Sequence, residues 1–579
     1  VSRTNGEIAR VLQELAELTK LDEGSPQAFR VRAYEKAAGA VRDASSSVAD
    51  MTDAEMTELD GVGKSTAAKI RQIVETGTLD AVERLREKYP ADLVALTRIP
   101  GLGPKTVILL RERLGVENVD DLERALAAEQ VRDLPGMGAK SEEKIARAVE
   151  RLGLHGKDRR TPIIRVLPVA EDLVRTLSAM EGSGEVLCCG SLRRFRDTIG
   201  DVDIVVASDD PQPIMDTFVG LPMVDEVIGH GSTKSSILTR DGLQVDLRVV
   251  SPEQFGAATL YFTGSKEHNI ELRQRAIAED WTLNEYALAD AETDEVVAAA
   301  TEHAIYEALG LSYIPPEMRE GSGEVARSAA GTLPDLVTVA AIRGDLHLHS
   351  TWSGDGRSSL DDMVAAAADR GLDYIAMTEH AENLAINGLS REAVQRERVE
   401  IDRLRSAHPD LTILHGSELN IGPDGSLDYD EEFLLEFDWC VASVHSHFDL
   451  TPEQQTSRVI AAMRHPAVNV VGHLTGRKIG RRPGIELDFE AVVEAALETG
   501  TALEVNSHLD RLDVPSGLLR TVRDVSDLVF VISTDSHHVR EFGNIEWGVR
   551  NARRGWVDSA RVANTWPSST FLEWSRSKR

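Results

Sequence analysis

Cysteine is almost missing from this chain. There are 3 in 579 residues, two of them adjacent at Cys188 and Cys189, so no disulfide framework can hold the fold and a reducing compartment is expected. Long apolar runs are missing as well. No stretch approaches the ~20 consecutive apolar residues of a membrane span, and Val1 to Arg10 holds no apolar stretch of signal-peptide length. The expectation is a cytoplasmic protein with no membrane contact. Aromatic residues are scarce at 5%, but 42% hydrophobic and 28% charged residues exclude a disordered or fibrous chain. At roughly 150 residues per domain the length predicts about four domains. Positive charge is also in deficit: 64 Lys+Arg against 96 Asp+Glu give a net charge of −32, which opposes a nucleic-acid partner at first sight. The deficit is uneven. Residues 1–160 carry 26 Lys+Arg and 28 Asp+Glu, a net of −2, which leaves −30 for the remainder. A nucleic-acid surface is therefore compatible with the first part, while downstream carboxylates can be metal ligands whose cations offset the count.

The first third reads as short helices, with apolar residues at helical spacing in Ile8-Val11-Leu12-Leu15-Leu18, Val82-Leu85 and Leu93-Leu96. Within it one pattern, apolar-x-Gly-apolar-Gly before a helix start, occurs three times: around Gly61 and Gly63, Gly101 and Gly103, and Gly136 and Gly138. Each copy is followed by a lysine, Lys64, Lys105 or Lys140. Paired glycines allow a tight turn and leave N–H groups unpaired at a helix start, a site suited to a phosphate oxygen. One copy alone is as readily a helix-capping turn. Three copies predict helix-hairpin-helix grips on the sugar-phosphate backbone that bind DNA without reading bases.

From about residue 186 strands are expected, at 185–189, 202–206 and 245–250, with a helical segment near 266–280 and a small, polar, linker-like stretch at 319–333. Asp201 and Asp203, read as one face of a buried strand, and Asp246 on a neighbouring strand are costly unless cations neutralise them. Such a cage suits two Mg²⁺ ions clamping the oxygens of a phosphoryl transfer. Gly190-Ser191, with Arg193 or Arg194, offers donors to a triphosphate. Beyond the linker, strands at 374–377, 411–414, 468–471 and 528–532 alternate with helices at 361–369 and 489–497, which predicts an α/β barrel with chemistry at its strand ends. Twelve of the 16 histidines lie between His347 and His538. His347 and His349 share one strand face, and Asp355, His380, Glu418, His445, His473, Asp535 and His537 follow at or near the ends of expected strands. Imidazole and carboxylate without thiolate suit Zn²⁺, Mn²⁺ or Fe²⁺.

Tyr261-Phe262-Thr263-Gly264-Ser265, with Asn269, Arg273 and Asn284-Glu285-Tyr286 after it, resembles the thumb of family X DNA polymerases such as DNA polymerase beta, and the hairpins and aspartates stand in that family's order over residues 1–316. The His-rich region resembles the polymerase-and-histidinol-phosphatase (PHP) domain, a metal-dependent phosphoesterase. The combination resembles the bacterial and archaeal branch of family X. It implies a lyase-like helical domain at 1–80, fingers at 81–155, a nucleotidyltransferase palm with a mixed sheet at 156–250, a thumb at 251–316, a linker at 317–340 and a distorted (β/α)₇ PHP barrel at 341–579. It further implies that Asp201 and Asp203 hold two Mg²⁺ or Mn²⁺ ions and Asp246 the catalytic one, with Asp246 accepting the proton of the primer 3′-hydroxyl. Gly190, Ser191 and Arg194 would meet the triphosphate, Tyr261, Phe262 and Gly264 the sugar side, Asn269 the base edge and Arg273 the template. In the barrel, His347, His349, Glu418 and Asp535 would hold one ion, Glu418, His445 and His473 a second, and Asp355, His380 and His537 a third. The family's Schiff-base lysine falls at Lys69, but Arg30 and Ser65 replace two supporting lysines, which leaves Lys69 open between a lyase nucleophile and a helix-surface lysine. The expected activity is a monomeric, DNA-directed, gap-filling repair polymerase that uses dNTPs on gapped or nicked duplex, with a 3′–5′ exonuclease or 3′-end-processing phosphoesterase. Rival readings are a small-molecule phosphatase with an appended nucleotidyltransferase, a DNA-bridging scaffold with relic sites, and template-independent nucleotide addition.

Overall fold

A computed structural model describes residues 5–24, 28–44, 48–59, 61–97, 102–143, 145–146, 160–384 and 387–577; Gly101 lies outside them. The N-terminal region is helical. Its first helix, Asn5–Asp22, buries Ile8, Leu12, Leu15 and Leu18, as the 3.6-residue period requires. In the hairpins, Val62 and Leu102 are buried and anchor the turn, while Gly61 and Gly136 sit at φ of 76° and 80°, where a side chain would be strained. The second glycine then opens the helix: the carbonyls of Gly63, Gly103 and Gly138 accept from the N–H groups of Ala67, Val107 and Glu142 at 2.9, 3.0 and 3.0 Å. One apolar cluster runs from Ile8 to Ile145, so the segments expected as separate units at 1–80 and 81–155 pack around a common core.

The next unit is a five-stranded mixed sheet in the order Val186–Cys188, Val202–Ala207, Gln244–Val250, Lys234–Thr239, Val224–His230. The Val202 and Gln244 strands run parallel and place Asp203 opposite Asp246. Asp201 was expected within the strand, but it precedes the first paired residue and is exposed. The helix Ile163–Ser178 packs beside this sheet, followed in the chain by the thumb segment with helices Phe255–Thr263 and Lys266–Ala278 and a small antiparallel sheet.

The stretch expected as a polar linker is packed structure. It carries the helix Glu324–Ala329 and buries Glu317, Arg319 and Glu324. Glu324 accepts from Gly321 and Ser322 N–H at 2.8 and 2.6 Å and pairs with His268 Nδ1 at 2.8 Å, whose Nε2 meets the Tyr306 hydroxyl at 2.7 Å. Small polar residues looked like a flexible tether because composition cannot show that their carboxylates are taken up by buried partners.

The C-terminal region is a seven-stranded parallel sheet, Gly344–Leu348, Tyr374–His380, Thr412–Asn420, Trp439–Ser443, Val470–Gly472, Ala502–Asn506 and Phe530–Ser533, paired in chain order. Its ends meet through His349 N–H donating to Ser536 O at 2.9 Å and a parallel bridge between Leu348 and Ser536. Strands buried on both faces read as continuous apolar runs, which is why five of the seven were legible. No helix among the described residues is long and apolar enough to cross a membrane.

Barrel and palm are joined by shared packing. Leu512 is buried in the palm's apolar cluster, with Ile479, Leu509 and Trp547 against it, and Trp556 belongs to the thumb's. Phe195 stacks on Trp547 at 5.9 Å. Inside the thumb, Arg319, 0% exposed, is held bidentately by Glu302 at 2.8 and 2.9 Å, and Arg193 meets the same carboxylate at 2.6 Å. Glu302→Ala leaves the buried Arg319 and the partly buried Arg193 without their shared carboxylate and should lower stability by roughly 3–5 kcal/mol, read from urea melts. A loss below about 1 kcal/mol would show that the arginines find other partners.

Candidate active sites

The palm cavity, about 580 Å³, is lined by Gly190, Ser191, Arg194, Asp201, Asp203, Tyr261, Phe262, Gly264, Asn269 and Arg273, together with Arg160, Thr263, Lys266 and Ile270. Every residue the sequence marked for nucleotide contact is present. Arg160 and Lys266 were not foreseen; isolated basic residues carry no periodic signal. Gly190 ends the first sheet strand's loop at φ +61°, and a Cβ there would lie 2.5 Å from Asp203 Oδ2, so only glycine lets this carboxylate sit against the helix start. Arg193, weighed with Arg194 as a triphosphate donor, is instead taken up by Glu302 and Thr263. The Asn269 amide donates to Tyr261 O at 2.8 Å, while its Oδ1 is buried without a partner; it can accept from a donor in the cavity. Arg273 and Arg248 stand over the rings of Tyr261 and Phe262 at 5.6 and 4.3 Å.

Burial, with the Asp201 and Asp246 charges, pushes the Asp203 carboxyl up to about 7. Burial would also raise Asp246, but hydrogen bonds from Lys234 and Gln244 outweigh it and hold this carboxyl below the usual range. Lys234 Nζ lies 2.7 Å from Asp246 Oδ2. Sequence reasoning missed this lysine, because the strand that carries it, Lys234–Thr239, was not read. The hairpin lysines Lys64, Lys105 and Lys140 are exposed. Lys69 Nζ lies 3.1 Å from Ser65 Oγ and 5.8 Å from the Tyr34 ring.

The second site lies at the C-terminal ends of the barrel strands, and all seven contribute. Glu418, 1% exposed, is its centre: His380 Nδ1, His473 Nε2, His445 Nε2, His347 Nε2 and His349 Nε2 approach its oxygens at 2.8, 3.0, 3.1, 3.5 and 3.7 Å. Asp535 Oδ1 lies 3.4 Å from His349, and Asp355 lies 3.4 and 3.5 Å from His380 and His537. Ligand atoms within 4.8 Å of one another form three groups: His347-His349-Glu418, His380-Glu418-His445 and His349-His380-His537. Among the described residues these are the groups with metal-binding spacing; the palm aspartates do not form one. His380 reaches both Glu418 and the Asp355 side, so the groups overlap more than the expected sets.

Sequence reasoning missed the residues behind the ligands. Glu504 accepts from His347 Nδ1 at 2.7 Å and from His473 N–H at 2.6 Å. Asn420 Oδ1 meets His445 Nδ1 at 2.8 Å and Asn506 donates to Asp535 at 3.1 Å. Such partners fix each imidazole so that its other nitrogen faces the cluster. Glu504 had a legible signal, a lone carboxylate in the apolar strand Ala502–Asn506. His473 and Asp535 have positive φ, 24° and 54°, backbone strain of the kind retained at functional sites.

The donor set fits divalent cations. His347 Nε2 and both ring nitrogens of His349 are buried without hydrogen-bond partners, which is costly unless a cation meets them. Burial alone would raise Glu418, but the His445, His347 and His380 charges hold it well below the carboxylate range. Burial would lower His380, yet Glu418 and Asp355 raise it to about 10. In the absence of metal, protons on imidazoles supply the missing positive charge.

Two outcomes follow. Metal entry must displace the His380 proton, so titrating the metal-free protein with Mn²⁺ at pH 8 in buffers of different ionisation enthalpy should show proton release; buffer-independent heats would contradict it. In the palm, a carboxyl whose folded pKa lies above its unfolded value costs stability increasingly as pH rises from about 4 to about 7. Asp203→Asn should therefore stabilise the metal-free protein at pH 8 by on the order of 1 kcal/mol, the gain vanishing near pH 4, as read from urea melts in chelator. No gain at pH 8 would show that Asp203 titrates normally.

The comparisons agree with these parts. Residues 258–320 match the DNA polymerase beta thumb, 3–79 the helix-hairpin-helix domain, 93–151 the SAM-like helix-hairpin-helix tandem and 345–508 the PHP domain. The chain is 37% identical over 562 residues to a Bacillus subtilis protein named DNA polymerase/3'-5' exonuclease PolX, covering 96% of this chain and 97% of that one. It is 26% identical to rat (Rattus norvegicus) DNA polymerase lambda over 345 residues, 54% of this chain and 56% of that protein. It is 32% identical to a protein of Syntrophotalea carbinolica named as a probable phosphatase over 167 residues, 28% of this chain and 65% of that protein. With hairpins, palm, thumb and barrel in this order, the chain belongs to the family X DNA polymerases that carry a C-terminal PHP domain.

Proposed function

We propose that the protein is a DNA-directed DNA polymerase that fills short gaps in duplex DNA and trims 3′ ends with its barrel. One observation carries the reading: residues spread from Gly190 to Arg273 line one cavity beside the paired strands that bear Asp203 and Asp246. Arg194 and Ser191 meet the triphosphate of the incoming dNTP, Asn269 Oδ1 accepts from the base edge and Tyr261-Phe262 lie along the sugar. Two Mg²⁺ or Mn²⁺ ions held by Asp201, Asp203 and Asp246 would supply charge stabilisation to the reacting phosphate. Asp246, kept ionised by Lys234 and Gln244, takes the proton of the primer 3′-hydroxyl. The 3′-oxygen bonds to the α-phosphorus as the bond to the bridging oxygen breaks, and pyrophosphate leaves with that electron pair.

In the barrel, Glu418 and the histidines around it would hold divalent ions, three of Zn²⁺, Mn²⁺ or Fe²⁺ on this reading, which would supply charge stabilisation and an activated water; Glu504 and Asn420 orient the ligating imidazoles. Water cleaves the terminal phosphodiester there, releasing a nucleoside monophosphate and a fresh 3′-hydroxyl. The hairpins favour gapped or nicked duplex over a small phosphate ester, because a small substrate needs no backbone grip. A single chain supplies every residue assigned to the two sites, which supports a monomer as the working unit.

The test is a gapped duplex with a labelled 3′ end. Asp246→Ala should lower nucleotide incorporation by roughly a thousandfold while trimming persists, and undiminished extension would remove the aspartate assignment. His349→Ala should lower trimming by more than roughly a hundredfold and spare extension, whereas equal loss of both activities would show that the two sites are not separate.

A further inference from the structure

The joint between barrel and palm falls on the wall of the polymerase cavity. The helix Ile545–Arg554 follows closely on the barrel loop that carries Asp535 and His537. Two of its residues four apart, and so on one face, grip consecutive backbone carbonyls of the palm: Arg550 Nη2 donates to Arg193 O at 3.1 Å and Arg554 Nη1 to Arg194 O at 2.8 Å. Arg554 is 6% exposed. Its Nη1 also meets Glu320 Oε1 at 2.8 Å, and its Nε donates to Ser516 Oγ at 3.1 Å. Glu320 Oε1 accepts in turn from Arg194 Nε at 3.0 Å. The Arg194 Nη1 donates to Thr263 O. Beside it, a Cβ on Gly264 would lie 3.2 Å from that same nitrogen. The guanidinium that lines the cavity is therefore fixed on two of its three nitrogens.

We propose that Arg554, a residue of the barrel domain, is a positioning residue for the polymerase: through Glu320 it holds Arg194 in the orientation that receives the triphosphate. The inference rests on Arg194 as a triphosphate ligand. A free arginine loses rotamer freedom when it binds phosphate, and one already immobilised does not lose it again, so affinity rises. Glu320 cannot do this alone, since its own side chain needs a partner on the far side, and Arg554 is that partner, itself anchored to Ser516 and to the Arg194 backbone. The charges agree. Arg194, Arg554 and, at 3.3 Å, Arg196 converge on the single carboxylate of Glu320. A clamp with a purely structural role would be balanced; this one leaves positive charge at the edge of a cavity that takes a polyanion. The same interface has an internal control in Glu317, which pairs with Arg550 and Arg553 at 3.5 and 3.6 Å and does not line the cavity.

The experiment uses the full chain on a single-nucleotide gap with Mg²⁺, measuring kcat and KM for dNTP together with 3′ trimming. Arg554→Met and Glu320→Gln should each raise KM for dNTP roughly tenfold, with kcat and trimming within about twofold of wild type. Arg554→Lys should recover part of the loss. The double variant should be no worse than either single one, since both break one chain of contacts. Glu317→Ala should leave KM unchanged. KM within about twofold of wild type in both Arg554→Met and Glu320→Gln, or an equal rise in Glu317→Ala, overturns the proposal. If Arg554→Met loses trimming as well, it has failed to fold, and the near-isosteric Glu320→Gln decides alone. Arg194→Ala separates the two levels: an unchanged KM there removes the triphosphate reading itself, while a raised KM there with normal Arg554 and Glu320 variants removes only the relay.

Discussion

Negative charge taken out of water is the constraint on which this molecule is built. Glu418 has five imidazoles around it and almost no solvent. Glu302 sits between Arg193 and Arg319, and Glu320 between Arg194 and Arg554. A lone buried carboxylate costs several kcal/mol, so each is shared by two or more cationic groups. The two kinds of site differ in where the cation comes from. At Glu302 and Glu320 it is a guanidinium that belongs to the chain, cannot lose its proton and locks a geometry. At Glu418 it is an imidazole, whose proton can be exchanged for a metal. The first arrangement fixes a geometry, at Glu320 that of a cavity arginine, and the second keeps a place open for a metal.

The division also explains what could be read from the sequence. Five of the seven barrel strands were legible because both their faces are buried, whereas Trp439–Ser443 and Ala502–Asn506, equally buried, were not read; the ligands were legible because His347, His380, Glu418 and His473 interrupt apolar runs at strand ends. The hairpins were legible because only glycine tolerates the φ of Gly61 and Gly136. What escaped depends on neighbours distant in the chain. Glu504 reaches His347 across 157 positions and Arg554 reaches Arg194 across 360; neither pairing leaves a periodic trace. The strands Val224–His230 and Lys234–Thr239 escaped because the first is largely exposed and lacks an apolar run, and with them went the Lys234 contact to Asp246. Residues 319–333 misled in the opposite sense: a composition typical of a tether hides Arg319 and Glu324, whose charges are satisfied by Glu302 and His268.

The packing of that stretch bears on how the two sites coexist. Domains joined by a tether and a thin polar interface move independently by default. Here the joint combines apolar burial, with Leu512 in the palm's core and Phe195 stacked on Trp547, and partly buried ion pairs at Glu320 and Asp197. Breaking it would return Leu512 and Phe195 to water, at roughly 1.5–3 kcal/mol for each side chain, a cost that parting two wet polar surfaces does not carry. Packing of this kind opposes a loose, independent swing of the barrel. A 3′ end that is trimmed in one site and extended in the other has to make the journey itself, along a surface whose shape is fixed. On the proposed reading the hairpins supply the grip that allows this, a non-specific one on the backbone that demands no basic surface from a chain of net charge −32.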